Sequence, residues 1–353
     1  MGAARERRAG VLDVLIVSVG STHGLRAADK ELQDSLARAG ANVATARAVA
    51  PAPTRTLMLT DLAWARAARA AAMRALAEQR SPPRAVIYSS TTAALLWPRP
   101  GAIRFDAPAA GNRPGRHGLW QRPLERRRLQ QSSLLLPWSE GGLREASAAA
   151  GRNDALVLPV AVEPSGAPAQ RRDIAAITYA ANPAKKGLDR VLEAWRCVRG
   201  DLAPGDAWEL VVAGASSREL RDAGLDLESA EGVRVVGALA PAEYRALLRR
   251  ARVFVCAPRR EDYGIAQLEA LADGCLLVST PAPGPYVGLP IARALDPRLV
   301  SDELERALRA ALEHPAPDYV ARASDALAQL RRDAVDRLVA DELLPRLLAR
   351  RRG

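Results

Sequence analysis

Short apolar runs alternate with amphipathic stretches along most of the chain. Residues 11–20 are apolar apart from Asp13 and end in Gly20-Ser-Thr-His-Gly. This predicts a strand and loop, followed by a helix over 28–39 that Gly40 closes. A second strand is expected at 42–49, an alanine-rich amphipathic helix at 62–79 and a strand at 85–90. Between 98 and 128 the texture changes to Pro, Gly and Arg, which predicts a long loop of the kind that often carries function. A buried strand resumes at 134–139, a helix follows near 142–150, and the apolar stretch 156–162 closes the first half. Residues 163–173, with Pro164, Pro168 and Gly166, read as a linker.

The second half repeats the alternation. Strands are expected at 174–179, 208–213, 233–236, 253–257 and 276–279, and helices at 187–198, 241–250 and 265–272. From residue 301 the period is helical almost to the end, enough for two or three helices. Strands alternating with helices imply parallel sheets. For 353 residues the expectation is an α/β protein of two doubly wound, Rossmann-like domains, 1–163 and 164–330. A C-terminal helix over 331–353 is expected to pack back on the first. Ligands of such sheets bind at the carboxyl ends of the strands, which here would face each other across a cleft.

Composition narrows the function classes. No run approaches the roughly 20 apolar residues of a membrane helix. The basic start turns apolar at Val11, but Asp13 interrupts it, which argues against a signal peptide. Cys197, Cys256 and Cys275 are scattered without metal-ligand spacing, so no metal site is expected and a reducing cytoplasm fits. The formal charge of +11 suggests anionic partners, namely a nucleotide, a phospholipid headgroup at a membrane surface, a phosphorylated acceptor or a nucleic acid, and does not choose among them. Only 4% of residues are aromatic, which argues against a specific nucleic-acid surface built on stacking.

The chemistry concentrates in Arg260-Glu-Asp-Tyr-Gly-Ile-Ala-Gln-Leu-Glu269. Glu261 and Glu269 lie eight positions apart across a strand-to-helix turn. Glu305 and Glu313 repeat that spacing within a solvated helical run, so spacing alone decides nothing. The first pair differs in context: an apolar strand precedes it and Gly264 marks the turn. The amides of Gly264, Ile265 and Ala266 would then open a helix, a ready anion site.

This stretch resembles the retaining glycosyltransferases of the two-domain GT-B type, in particular family four. The likeness is strongest from Ile174 to Thr280. There Lys-Gly follows a strand, one strand ends in Ala-Gly, another ends in Gly, and the paired glutamates come last. The resemblance implies a nucleotide-diphosphate sugar as donor substrate, no cofactor and no metal. Glu261 would contact donor-sugar hydroxyls, Glu269 the ribose, and Lys186 together with the amides at 264–266 the diphosphate. Gly214 and Gly237 would let backbone approach the nucleotide. In the first, acceptor-binding domain, Gly20 fits the loop facing diphosphate and acceptor, and His117 fits the histidine near the reacting sugar, in an insert that also carries Arg113, Arg116 and Arg122. The acceptor would be a glycan, a lipid-linked molecule or a small molecule. One departure is Ala181, where many members carry an arginine. Arg260, or failing it Arg259, is expected to supply that charge, whereas Lys185 would point away from Lys186 in an extended segment. Two rival readings are another GT-B enzyme, such as a sugar-nucleotide epimerase or a phosphorylase-like enzyme, and a basic nucleic-acid-binding protein.

Overall fold

The computed structural model describes residues 11–349 apart from 114, 152, 153, 201–207, 226 and 228–230. The basic start of the chain therefore lies outside the described residues. The chain forms two compact units, residues 1–161 with 332–353, and residues 162–331.

In unit 1, strands β1 (Val14–Ser18), β2 (Val43–Arg47), β3 (Ala85–Tyr88), β4 (Ala102–Phe105) and β5 (Leu135–Pro137) form a parallel sheet in the order β2-β1-β3-β4-β5. Between them run α1 (His23–Arg38), α2 (Leu57–Ala77), the short α3 (Thr91–Ala94) and α4 (Ala109–Asn112), a 3-10 turn at Gly115–Gly118, and α5 (Gln121–Gln131); α6 (Glu140–Ala150) follows β5. Thr22 and Thr56 cap α1 and α2 by accepting the amides of Leu25 and Leu59, and so start both helices about five residues before the apolar periodicity becomes evident.

The segment expected as a loop, 98–128, instead holds β4, α4 and most of α5. Arg104 hid the strand, because a charge in a four-residue run breaks an apolar pattern. It is 2% exposed, with its guanidinium 4.9 Å over the Trp138 ring, 3.7 Å from Asp29 and donating to the Ala28 carbonyl. Burial raises the pKa of the Asp29 carboxyl against the pull of Arg104. Such a buried ion is tolerated only when paired and hydrogen-bonded.

In unit 2, β6 (Ile174–Tyr179), β7 (Leu210–Ala213), β8 (Val233–Gly237), β9 (Ala251–Cys256) and β10 (Leu276–Ser279) form a second parallel sheet, ordered β10-β9-β6-β7-β8. Its helices are α7 (Pro183–Lys186), α8 (Leu188–Gly200), α9 (Ser217–Asp222), α10 (Pro241–Arg250), α11 (Ile265–Ala272), α12 (Gly288–Leu295), α13 (Leu304–Glu313) and α14 (Tyr319–Ala326). The chain then returns to unit 1 through α15 (Arg332–Leu338), a π-helical turn (Val339–Leu343) and α16 (Leu344–Leu348). There Val335, Val339 and Leu343 are buried with Ile16, Leu32 and Leu36. Asp336 accepts from Ser35 Oγ at 2.5 Å and from Arg38 Nε at 2.7 Å. No helix among the described residues is long and apolar enough to cross a membrane.

Candidate active site

In the second sheet, connections to one side begin at β6 and to the other at β9, so the strand order reverses between these two neighbours. Loops leaving the carboxyl ends at such a reversal diverge and leave a crevice. The loop after β6 leads into α7 and the loop after β9 into α11, and the residues singled out from the sequence sit on both.

Glu261 is 5% exposed. Its Oε2 accepts from Lys186 Nζ at 2.5 Å and from Gln267 Nε2 at 2.9 Å. Lys186 arrives from 75 positions earlier because Asn182 caps α7 and Gly187 ends it with φ +62°. A Cβ at Gly187 would sit 1.9 Å from the Ala257 carbonyl oxygen, so glycine allows α7 to lie against the end of β9. Across the turn, Gly264 has φ +91° and starts α11. The first amides of a helix lack acceptors within it, so those of Ile265 and Ala266 open α11 four and five residues after Glu261. The Tyr286 ring lies 2.9 Å from where a Gly264 Cβ would stand, which closes one side of the turn.

Lys185 does not point away. Residues 183–186 are helical rather than extended, and Lys185 Nζ donates to Asp262 Oδ2 at 2.6 Å. Arg260 Nε reaches the other oxygen of Asp262 at 2.9 Å. Lys185, Lys186 and Arg260 thus face Glu261 and Asp262, and these five side chains keep one net positive charge. Arg259 turns elsewhere: it binds Asp189 at 2.7 and 3.0 Å, an ion pair that lowers the Asp189 pKa. Ala181 is exposed in the loop after β6.

Glu269 lies farther along α11, half-buried, 3.5 Å from Arg245 Nη1. Asp273, wholly buried, grips Arg245 through Nε and Nη2 at 2.5 and 3.0 Å, which fixes the cation that faces Glu269. Burial raises the Glu269 pKa and Arg245 opposes the rise. Gly214, φ +93°, donates its amide to the Gly237 carbonyl at 2.7 Å, which joins the ends of β7 and β8. A Cβ at Gly214 would meet the Tyr179 ring at 2.8 Å, whereas one at Gly237 would meet nothing. The first glycine therefore answers a packing need, and the second leaves open space.

The sequence reading missed two partners. Gln267 resembles an ordinary helix residue, yet it is 1% exposed; its signal was an amide on the apolar face of α11. Arg245 is one of many arginines and carried no signal at all.

In unit 1, Gly20 has φ +54° in the loop after β1, where Arg26 donates to its carbonyl. His117 is exposed on the 3-10 turn. Of the arginines around it, Arg113 is held by Asp61 at 2.6 and 3.0 Å, and Arg122 donates to the carbonyls of Gly115 and Gly118. Both build the insert. Among the described residues no cluster of His, Cys, Asp and Glu gathers as a metal would require.

Two parallel five-stranded sheets flanked by helices, in these orders, define the GT-B glycosyltransferase fold. Sucrose-phosphate synthase from Thermosynechococcus elongatus superposes with a TM-score of 0.67 at 13% identity, over 96% of this chain and 99% of that one. WaaG, a glycosyltransferase involved in lipopolysaccharide biosynthesis, gives 0.64 at 15%, over 95% and 97%. The α,α-trehalose 6-phosphate synthase from Burkholderia multivorans gives 0.64 at 14%, over 96% and 98%. No curated protein matches the sequence. Residues 172–314, within unit 2, match the family described as Glycosyl transferases group 1.

Proposed function

We propose that the protein transfers a sugar from a nucleotide-diphosphate sugar, held by unit 2, to an acceptor held by unit 1, with retention of configuration and without a metal. One observation carries the reading. Lys186 and Glu261, on loops from β6 and β9, meet at 2.5 Å beside the glycine-started α11, inside the segment that matches the family.

In this reading Lys186 and the amides of Gly264, Ile265 and Ala266 bind the diphosphate and stabilise its charge as the sugar bond breaks. The surplus positive charge shared by Lys185 and Arg260 around Asp262 stands in for the arginine absent at Ala181. Glu261, fixed by Lys186 and Gln267, presents its carboxylate to donor-sugar hydroxyls. Glu269 takes the ribose hydroxyls, and Gly214 and Gly237 admit the nucleotide backbone. From unit 1, Gly20 lines the diphosphate and acceptor side, and His117 serves the reacting sugar. The leaving phosphate oxygen takes the acceptor's proton, so no separate general base is required. The acceptor is a glycan, a lipid-linked molecule or a small molecule, and not a nucleic acid.

The test is a thermal-shift series with UDP, GDP, ADP, TDP and their sugars. A ligand at a hundredfold above its dissociation constant stabilises by about 2.7 kcal/mol. One nucleotide should produce this shift in the presence of EDTA, and Lys186→Ala should remove it for the diphosphate more than for the nucleoside. No shift with any member of the series overturns the reading.

A further inference from the structure

Beside Glu269 the chain builds an ionic cluster that reaches back to its own entry into unit 2. Asp273 ends α11 and is wholly buried. Its carboxylate accepts from Arg245 Nε and Nη2 at 2.5 and 3.0 Å, and from the amide and hydroxyl of Ser165 at 2.7 and 3.0 Å. Arg245 Nη2 also donates to the Glu163 carbonyl at 2.7 Å. One turn further along α10, Arg249 donates to Ser165 Oγ at 2.5 Å. Residues 163–165, where the chain has just entered unit 2, are thus fastened to α10 and to the end of α11. A guanidinium is planar and rigid, so fixing Nε and Nη2 also fixes where Nη1 points. It points at Glu269 Oε1, 3.5 Å away.

That separation lies beyond the range of about 2.7–3.2 Å for an N–H···O hydrogen bond. Among the described residues no donor comes close enough to bond the Glu269 carboxylate. Glu261 differs, since Lys186 and Gln267 occupy one of its oxygens. A cation held just out of bonding range favours the ionised acid and leaves its lone pairs open. Glu269 needs such support, because burial raises its pKa and a protonated carboxyl offers fewer acceptor sites to a pair of hydroxyls. Its other titratable neighbours do not supply it. Asp273 acts by like charge in the same direction as burial, and Tyr179 of β6 and Tyr244 of α10 are kept neutral by burial and then by the charge of Glu269.

We infer that Arg245 is a positioning residue of the donor site: locked by Asp273 and the 163–165 segment, it holds the Glu269 carboxylate open for two vicinal hydroxyls, so that the site selects a ribonucleotide over its 2′-deoxy counterpart. The inference rests on the transferase reading, in which Glu269 takes the ribose.

Calorimetric binding to the full chain tests it, with whichever of UDP, GDP and ADP shifts the melting of the parent set beside its 2′-deoxy form. The parent should favour the ribonucleotide about tenfold, the scale of hydrogen bonds to a charged group. Arg245→Met alone would leave Asp273 buried without its cation, so it is combined with Asp273→Asn to remove both charges. Arg245→Gln, neutral but still able to donate to Asp273, serves as the second probe. In both variants the ribonucleotide preference should shrink at neutral pH while affinity for the deoxynucleotide holds. Without the cation Glu269 protonates at higher pH, so the preference should recover as pH rises and disappear sooner than in the parent as pH falls. An unchanged preference in both variants overturns the inference and leaves the transferase reading standing. Equal loss of affinity for the two nucleotides, insensitive to pH, overturns it as well, because a merely structural role has that effect. Failure of the parent to bind any nucleotide overturns the transferase reading and this inference with it.

Discussion

Glu261, on the loop after β9, and Glu269, on α11, have different surroundings and should fail differently. Glu269 faces one cation, Arg245, across 3.5 Å, and its carboxylate is half-buried, so an incoming hydroxyl pair can reach it. Glu269→Ala should lower nucleotide affinity about tenfold, the scale of hydrogen bonds to a charged group. Glu261 is occupied on one oxygen by Lys186 and Gln267. Glu261→Gln should keep nucleotide affinity within a few fold while transfer falls by two orders of magnitude or more, since its proposed partner is the sugar. Calorimetric binding of the nucleotide beside a turnover assay separates the two. Equal losses of affinity in both variants would dissolve the division of labour.

At the scale of elements, the sheet and most helices of unit 2 were legible, α9 and α12 excepted, and the middle of unit 1 was not. α10, α11, β6 and β10 fall where periodicity placed them because each is an uninterrupted apolar or amphipathic run between turn residues. The lysine segment was misjudged because Asn182-Pro-Ala-Lys-Lys-Gly is too short to show a helical period. Its N-cap and its left-handed glycine, not its hydrophobic pattern, make it a turn of helix. β4 and α5 were hidden for a different reason: their buried faces carry the polar side chains Arg104, Gln121 and Glu125, and Arg104 and Glu125 are buried with tertiary partners that hold them. Glu125 yields a prediction from this. Its carboxyl is 4% exposed and accepts the Ala109 amide, and burial pushes its pKa from 4.5 up to about 7. A pKa raised on folding favours the protonated acid in the folded state. Its stabilising share is therefore full below about 4.5 and is lost as pH rises through about 7. Melting temperatures measured from pH 4.5 to 8 should fall across this window in the parent and fall less in Glu125→Gln. Parallel curves would remove Glu125 as the cause.

Over the whole molecule, the chain leaves unit 1 at residue 161, builds unit 2, and returns at 332 to complete the first unit. Completion is a matter of burial. Val335, Val339 and Leu343 lie in the same cluster as Val14 and Ile16 of β1 and Leu32 and Leu36 of α1, and Leu343 is wholly buried. The turn that holds Val339 and Leu343 is π-helical, with Pro345 just beyond it. A proline blocks the ordinary ladder one turn back, and a π turn is one way to absorb that break. Truncating a buried leucine in such a cluster costs about 2–5 kcal/mol, through lost transfer energy and the cavity left behind. Leu343→Ala should therefore weaken unit 1 alone, although the substitution lies more than 300 residues from β1 in sequence. Hydrogen exchange read by peptide should show faster exchange in β1 and α1, with β6, β9 and α11 unchanged and nucleotide affinity retained. Equal loss of protection in unit 2 would mean that the two units unfold as one, and that the final helices support the donor site as well as the fold of the unit they rejoin.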